Sequence, residues 1–174
     1  MHFSTSQDGS INLYRNRNSS LTNTLVIAAV AVFVLWADQY TKSLIRKACV
    51  PDFPACRTIV PNFLRITYER NVHGAFGLFG NNAVLLIAMA IVVLVLFWFS
   101  FREAAAKSPT VRIAFGMIVG GAIGNIVDRL HYGYVVDFID FYRIWPNIFN
   151  VGDSCITIGV GLLLLSSLVT RRHR

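Results

Sequence analysis

Four apolar runs divide the chain, at positions 21–37, 83–101, 113–127 and 154–170. A membrane-spanning helix needs roughly 20 mainly apolar residues, and these runs approach or reach that length. The third run is short, but Ser108 is a good N-cap and Pro109 suits the first helical turn. We therefore predict a third helix that begins at Pro109 and ends near Leu130.

The connection after the first run has a different pattern. In RTIVPNFLRITYER at 57–70, β-branched and aromatic residues alternate with polar ones, which predicts short strands. We expect an all-α polytopic membrane protein with four transmembrane helices and a small extracytoplasmic β-sheet and loop. Positions 1–20 would form a polar tail, 21–170 one membrane domain, and 171–174 a basic tail. The first run follows a polar tail and no A-x-A-like site follows it, so we take it as a retained helix.

Composition agrees with a membrane location. The chain is 55% hydrophobic and only 14% charged, with a mean hydropathy of +0.54, whereas soluble domains carry about a quarter charged residues. We interpret the net charge of +7 as flanking residues that face lipid headgroups. The basic residues do not cluster with aromatic ones, so we exclude a nucleic-acid surface.

Basic residues also bear on orientation. The 16 Lys and Arg divide evenly between the two predicted sides, but they are densest in the short middle loop and the C-terminal tail. The positive-inside rule then favours cytoplasmic termini. Cys49 and Cys56 fall on the opposite side, where thiols can oxidise, so we predict a disulfide, with two separate thiols as the alternative. Cys155, in the fourth run, is interpreted as a small packing residue.

Several polar residues lie in or beside the helices. Asp38 and Lys42 have helical i,i+4 spacing and predict a structural ion pair. Gly116, Gly120 and Gly124 predict close helix packing. One face of the third predicted helix carries Gly121, Asn125, Asp128 and Arg129. Either Asp128 and Arg129 neutralise each other, or this face contributes to a functional site. Asn71 reads locally as a turn or cap residue, and His73 as an interfacial histidine.

Three further acids, Asp137, Asp140 and Asp153, lie close to apolar runs. Ionisable residues in or near membrane spans suggest a functional site. A helix N-terminus favours the charged form of Asp153, and burial favours the neutral form of Asp137. Such a pair can serve as base and acid in a hydrolysis by activated water.

Two other functions also account for the acids. Asp128, Asp137, Asp140 and Asp153 could hold Mg²⁺ in a lipid-headgroup transferase. Alternatively, the acids could form a proton relay in a small transporter or channel subunit.

Five segments bear a resemblance to a known family. They are DQYTK at 38–42, NVHGAF at 71–76, GGAIGNIVDR at 120–129, VVDF at 135–138 and FNVGD at 149–153. Together they resemble the lipoprotein signal peptidases, or signal peptidase II, over nearly the whole chain after the polar tail. The usual N-x-G-A-A-F pattern is altered here by His73 and Gly74, and Gly152 stands where Ala is common.

The resemblance implies a four-span aspartyl peptidase of the bacterial inner membrane. Such enzymes remove the signal peptide of prolipoproteins just before a cysteine that carries diacylglycerol. It implies that Asp137 and Asp153 are catalytic. We interpret Asp140 as a structural acid that positions the sheet, with a catalytic role for it as the alternative. The resemblance further assigns a role near the substrate to Asn71, Asn125, Arg129 and Asn150, with Asp128 in support. We expect no cofactor and a monomer whose partners are lipidated prolipoproteins and membrane lipids.

Overall fold

The computed structural model describes residues 6–52, 56–73 and 82–172 of the chain. Helices and strands follow one another in the order α1 (Ser6–Ala48), β1 (Arg57–Val60), β2 (Leu64–Asn71), α2 (Ala83–Lys107), α3 (Pro109–Tyr132), β3 (Val135–Asp140) and α4 (Val151–Arg172). Each helix contains a segment long and apolar enough to cross a membrane, as the sequence predicts.

Helix α1 differs from its prediction at both ends. Its backbone is helical from Ser6, within the predicted polar tail, and it continues past Ala37 to Ala48. Asp38 and Lys42 therefore lie inside the helix and not at its end. Positions 1–5 of the tail and positions 173–174 of the predicted basic tail lie outside the described residues.

The ends of α3 follow from local chemistry. The Ser108 hydroxyl accepts a hydrogen bond from the backbone N–H of Val111, and Pro109 occupies the first turn, as predicted. Gly133 ends the helix with φ of 77°, a left-handed conformation that costs little without a Cβ. The chain then turns directly into β3.

The three strands form an antiparallel sheet in the order β1-β2-β3. Strands β1 and β2 are the short strands predicted at 57–70, whereas β3 is a strand that the sequence reading missed. In β3, Val135 lies opposite Asn71 and Asp137 opposite Glu69. The sheet therefore brings the end of β2 beside the acid-bearing strand.

Helix α3 is the centre of the bundle, because it packs against α1, α2 and α4. Its glycines permit close approach. A Cβ at Gly116 would lie 2.7 Å from the Cβ of Val30 on α1, and a Cβ at Gly124 would overlap the Asp38 carboxylate. On the α4 side, a Cβ at Gly152 would lie 2.9 Å from the carbonyl oxygen of Gly121. Small residues thus let α1 and α4 approach the backbone of α3.

Candidate active site

Asp137 and Asp153 come from different elements and meet at the end of the helix bundle. Asp137 is in β3 and is 1% exposed, and Asp153 is in the first turn of α4. Phe149 fixes their relative position, since its carbonyl oxygen accepts bonds of 2.8 Å from the N–H groups of Phe138 and Ile139. These hydrogen bonds hold the start of α4 against β3.

Asn150 links the two acids. Its side-chain oxygen accepts a 2.8 Å bond from the backbone N–H of Asp153, in the manner of an N-cap. Its side-chain amide donates to Asp137 Oδ1 at 2.7 Å and to Asn125 Oδ1 at 3.1 Å. Asn150 is fully buried, so these bonds are shielded from water.

Two further amides complete the network. Asn125, on α3, donates to Asp153 Oδ1 at 2.8 Å. Asn71, at the end of β2, donates to Asp137 Oδ2 at 2.8 Å. The structure thus brings together three asparagines that the resemblance singled out and aims each of them at one of the two acids. Gly74, Ala75 and Phe76 of the same NVHGAF segment lie outside the described residues.

Beneath this network lies a second, fully buried cluster of charges. Lys42 Nζ is 2.8 Å from Asp38 Oδ2 and 3.1 Å from Asp128 Oδ2, and all three side chains are 0% exposed. The predicted Asp38–Lys42 pair is therefore present and is extended by Asp128. Lys42 also donates to Asn125 Oδ1 at 2.9 Å, which connects the charge cluster to the acids above it.

The carboxylates of this cluster also bind backbone groups. Asp38 accepts a 2.8 Å bond from the N–H of Gly152 at the start of α4. Asp128 accepts a 3.0 Å bond from the N–H of Val136, next to the acid of β3. Gln39 donates to Asp128 Oδ1 at 3.1 Å and to the carbonyl oxygen of Gly124 at 3.1 Å, a role that sequence reasoning missed. Its only signal was its place between Asp38 and Lys42 in DQYTK.

The polar face predicted for α3 divides into two neighbouring rows. Gly124 and Asp128 face α1, where they meet Asp38 and Lys42. Gly121 and Asn125 face α4, where they meet Gly152 and Asp153. Residues four apart on a helix are displaced by only part of a turn, so each row is continuous.

Arg129 does not neutralise Asp128. Among the described residues, the ion-pair partners of Asp128 are Lys42 and, at 3.9 Å, Arg46. Arg129 makes a long 3.5 Å bond to the carbonyl oxygen of Asn125. Its buried Nε has no hydrogen-bond partner in the described part of the chain, and such a donor is costly unless something else occupies it.

Asp140 also lies on β3, but it forms an ion pair with Arg65 of β2. Asp128 is likewise committed to Lys42, so the four acids considered for Mg²⁺ are not gathered at one point. Within residues 6–52, 56–73 and 82–172, no group of three His, Cys, Asp or Glu side chains could hold a metal ion.

The connection between α1 and the sheet is cross-linked. A disulfide joins Cys49 to Cys56, with Cα atoms 5.4 Å apart. Beside it, Asp52 accepts from Arg70 of β2, which lowers the pKa of the Asp52 carboxyl. The end of α1 is thereby fastened to the strand that carries Asn71. Cys155 has a free thiol and is partly buried.

The electrostatics of Asp137 reflect its surroundings. Burial and, secondly, the charge of Asp153 raise the pKa of Asp137 to about 8, while the Asn71 and Asn150 amides act in the opposite direction. A carboxyl in such a place can keep a proton at neutral pH. Two interacting acids then titrate as a pair and hold one proton between them.

Comparisons with known proteins agree on one family. A family model described as signal peptidase (SPase) II matches residues 30–169. A lipoprotein signal peptidase of Symbiobacterium thermophilum is 38% identical over 153 residues, which cover 85% of this chain and 95% of the relative. One of Syntrophotalea carbinolica is 39% identical over 148 residues, which cover 81% and 89%.

Solved structures of two bacterial membrane enzymes share the fold. One, described as a bacterial membrane enzyme structure obtained by the in meso method at 2.3 Å resolution, has a TM-score of 0.75 and 32% sequence identity. The match covers 88% of this chain and 91% of that one. A second bacterial membrane enzyme, solved by the same method at 1.9 Å, has a TM-score of 0.70 and 33% identity over 84% and 92%.

Proposed function

Because the chain belongs to the signal peptidase II family, whose members are aspartic peptidases that process prolipoproteins, we propose that Asp137 and Asp153 are its catalytic pair. The observation that carries this assignment is the amide network. Asn71, Asn125 and Asn150 hold the two carboxyls together, and no described Lys or Arg pairs with either. Two carboxyls that share one proton are suited to acid–base catalysis.

In the proposed reaction the ionised carboxyl takes a proton from water as the water attacks the scissile carbonyl carbon. The protonated carboxyl gives its proton to the carbonyl oxygen, so the tetrahedral intermediate is an uncharged diol. The first carboxyl then protonates the leaving nitrogen as the C–N bond breaks. One hydroxyl proton returns to the second carboxyl, which restores the starting state and leaves an acid and an amine.

Arg129 is the proposed substrate-binding residue at this site. Its buried Nε has no partner among the described residues, and its only described hydrogen bond is the long one to Asn125. A peptide carbonyl bound beside the two acids would satisfy this donor. The three asparagines, in contrast, direct amide N–H groups at the two acids, so we assign them first to orienting the carboxyls.

The proposed setting is a multi-pass bacterial membrane protein with cytoplasmic termini and its site near the outer face. Density of basic residues in the middle loop and the C-terminal tail supports this orientation. The Cys49–Cys56 disulfide does so as well, since such bonds persist outside the cytoplasm. There the lipid of a prolipoprotein stays in the bilayer while its peptide bond meets water. All proposed site residues come from one chain, so we propose that a monomer is sufficient.

Purified protein and a diacylglyceryl-modified prolipoprotein in detergent provide the test, with cleavage followed by gel shift in excess EDTA. We expect Asp137→Asn and Asp153→Asn each to abolish cleavage while the protein stays folded. Asp140→Asn is the matched control on the same strand and should retain activity. An inactive Asp140→Asn beside an active Asp137→Asn would show that the pair is wrongly assigned. Loss of wild-type cleavage in EDTA would point to a metal-dependent reaction instead.

A further inference from the structure

Each of the three amides around the acids has its orientation fixed by a group that can only donate. Lys42 Nζ faces Asn125 Oδ1 at 2.9 Å. The backbone N–H of Asp153 faces Asn150 Oδ1 at 2.8 Å, and that of His73 faces Asn71 Oδ1 at 3.2 Å. A donor requires an oxygen opposite it, so in each amide the NH₂ group must point the other way.

The fixed amides impose a donor pattern on the two carboxyls. Asp137 receives an amide N–H on both oxygens, at 2.7 and 2.8 Å. Asp153 receives one on Oδ1 at 2.8 Å. Among the described residues, the one hydrogen-bond donor to its Oδ2 is the backbone N–H of Asn150, at 3.4 Å. Three of the four carboxyl oxygens therefore accept short amide bonds, and Asp153 Oδ2 does not.

We propose that the shared proton lies on Oδ2 of Asp153 and that Asp137 is the ionised base. This inference rests on the proposed function, and it reverses the protonation that the sequence favours. A proton on either oxygen of Asp137 would face an amide N–H and would find no acceptor in this network. A proton on Asp153 Oδ2 lies on the acid whose side chain is the more exposed of the two, where it can point at a substrate carbonyl.

Other charges around the pair do not reverse this preference. Lys42 contacts the acids through Asn125, and its charge favours the ionised form of both acids, not of one alone. Its ammonium is also shared by Asp38 and Asp128. Arg129 lies on the same row of α3 as Asn125, and its positive charge favours an ionised acid nearby. Burial raises the proton affinity of the pair as a whole, so the pKa of about 8 that burial and the charge of Asp153 give Asp137 describes the loss of the shared proton from the pair. Hydrogen bonds to the ionised form decide which member holds that proton at lower pH.

The chemistry then has fixed roles. Asp137 removes a proton from water, and the resulting oxygen nucleophile forms a bond to the scissile carbonyl carbon. Asp153 transfers its Oδ2 proton to the carbonyl oxygen. Asp137 next protonates the leaving nitrogen as the C–N bond breaks, and one hydroxyl of the diol returns a proton to Asp153. The products are a peptide acid and a free amine, and both carboxyls regain their starting states.

Carboxyl-carbon NMR of the full-length protein, labelled at the side-chain carboxyl of aspartate, tests the assignment. Asp137→Asn and Asp153→Asn identify the two signals by their disappearance, and Asp140→Asn identifies a control carboxyl on the same strand. Between pH 5 and 7 we expect the Asp153 signal at the chemical shift of a protonated carboxyl and the Asp137 signal at that of a carboxylate. Unchanged signals from the remaining aspartates show that each variant is folded.

A reagent that esterifies protonated carboxyls provides a second measurement, because it works on the wild-type protein. Peptide mapping by mass spectrometry should find the ester on Asp153, and a diazo ester is the probe. A protonated signal and an ester on Asp137 would overturn the inference but leave the catalytic pair intact. Two carboxyls that both titrate as ordinary acids, with variants that still cleave substrate, would instead refute the proposed function.

Discussion

Lys42→Met should destabilise the protein strongly, because it removes the cation that two buried carboxylates share. Lys42 Nζ lies 2.8 Å from Asp38 and 3.1 Å from Asp128, and all three side chains are 0% exposed. Removing one partner of a buried ion pair costs about 3–5 kcal/mol, since an uncompensated charge stays behind. Met keeps most of the volume, so the loss of charge dominates over the loss of packing. For a chain of this size, that cost corresponds to a fall in Tm of roughly 6–20 °C.

The assay is thermal unfolding in detergent, with Lys47→Met as the matched control. Lys47 is on the same helix but exposed, so its substitution should change Tm by about a degree or less. Adding Asp38→Asn to Lys42→Met should restore part of the loss, because Lys42 is the only described ion-pair partner of Asp38 and the second substitution removes the charge that would be left unpaired. Equal melting temperatures for Lys42→Met and Lys47→Met would refute the reasoning, and so would a double variant that is less stable than Lys42→Met alone.

Four further predictions concern the site and its surroundings. Arg129→Ala should lower kcat/KM roughly 30- to 1,000-fold, a loss of about 2–4 kcal/mol of transition-state stabilisation, with little change in Tm. Arg129→Lys should recover little activity, because a point charge does not reproduce the planar guanidinium. A fully active but less stable Arg129→Lys would indicate a structural role. Mass spectrometry of the unreduced protein should find Cys49 and Cys56 in one bridged peptide, and free alkylation of both thiols would contradict the bond. Because the raised pKa of Asp137, about 8, keeps a proton on the pair up to that pH, cleavage should decline above about pH 8. Asn71→Ala removes a bond to ionised Asp137, so the acid limb of the pH profile should move to higher pH, and a shift to lower pH would contradict the proposed base.

Sequence patterns predict the parts of the fold that depend on neighbours along the chain. Apolar runs reveal the four helices, and Ser108 with Pro109 marks the start of α3, because capping is decided within one turn. Strand β3 was missed because VVDFID is short and is buried at nearly every position. Such a strand does not alternate between apolar and polar residues, and its pairing with β2 is a long-range contact.

The site could be predicted only in part, for the same physical reason. Identities of the acids and asparagines are visible in the motifs, but their hydrogen bonds join residues up to 114 positions apart, as between Gly152 and Asp38. Adjacent residues Asp128 and Arg129 suggested a local ion pair, and tertiary packing instead gives Asp128 to Lys42. Local spacing gave no indication that Lys42 also orients Asn125.

The uncharged side-chain amide of Asn125 separates the Lys42 ammonium from Asp153, and this separation matters for catalysis. It lies between Lys42 and Asp153, accepting a hydrogen bond from the ammonium at 2.9 Å and donating one to Asp153 Oδ1 at 2.8 Å. Direct contact with the ammonium would hold Asp153 in its ionised form, as opposite charges do. The acid would then have no proton for the substrate carbonyl. The neutral amide fixes the position of Asp153 relative to the buried charge cluster and keeps the ammonium out of direct contact with it. The bundle can therefore keep Asp38 and Asp128 paired with Lys42 for structure and leave Asp153 without a direct ion-pair partner in the described part of the chain.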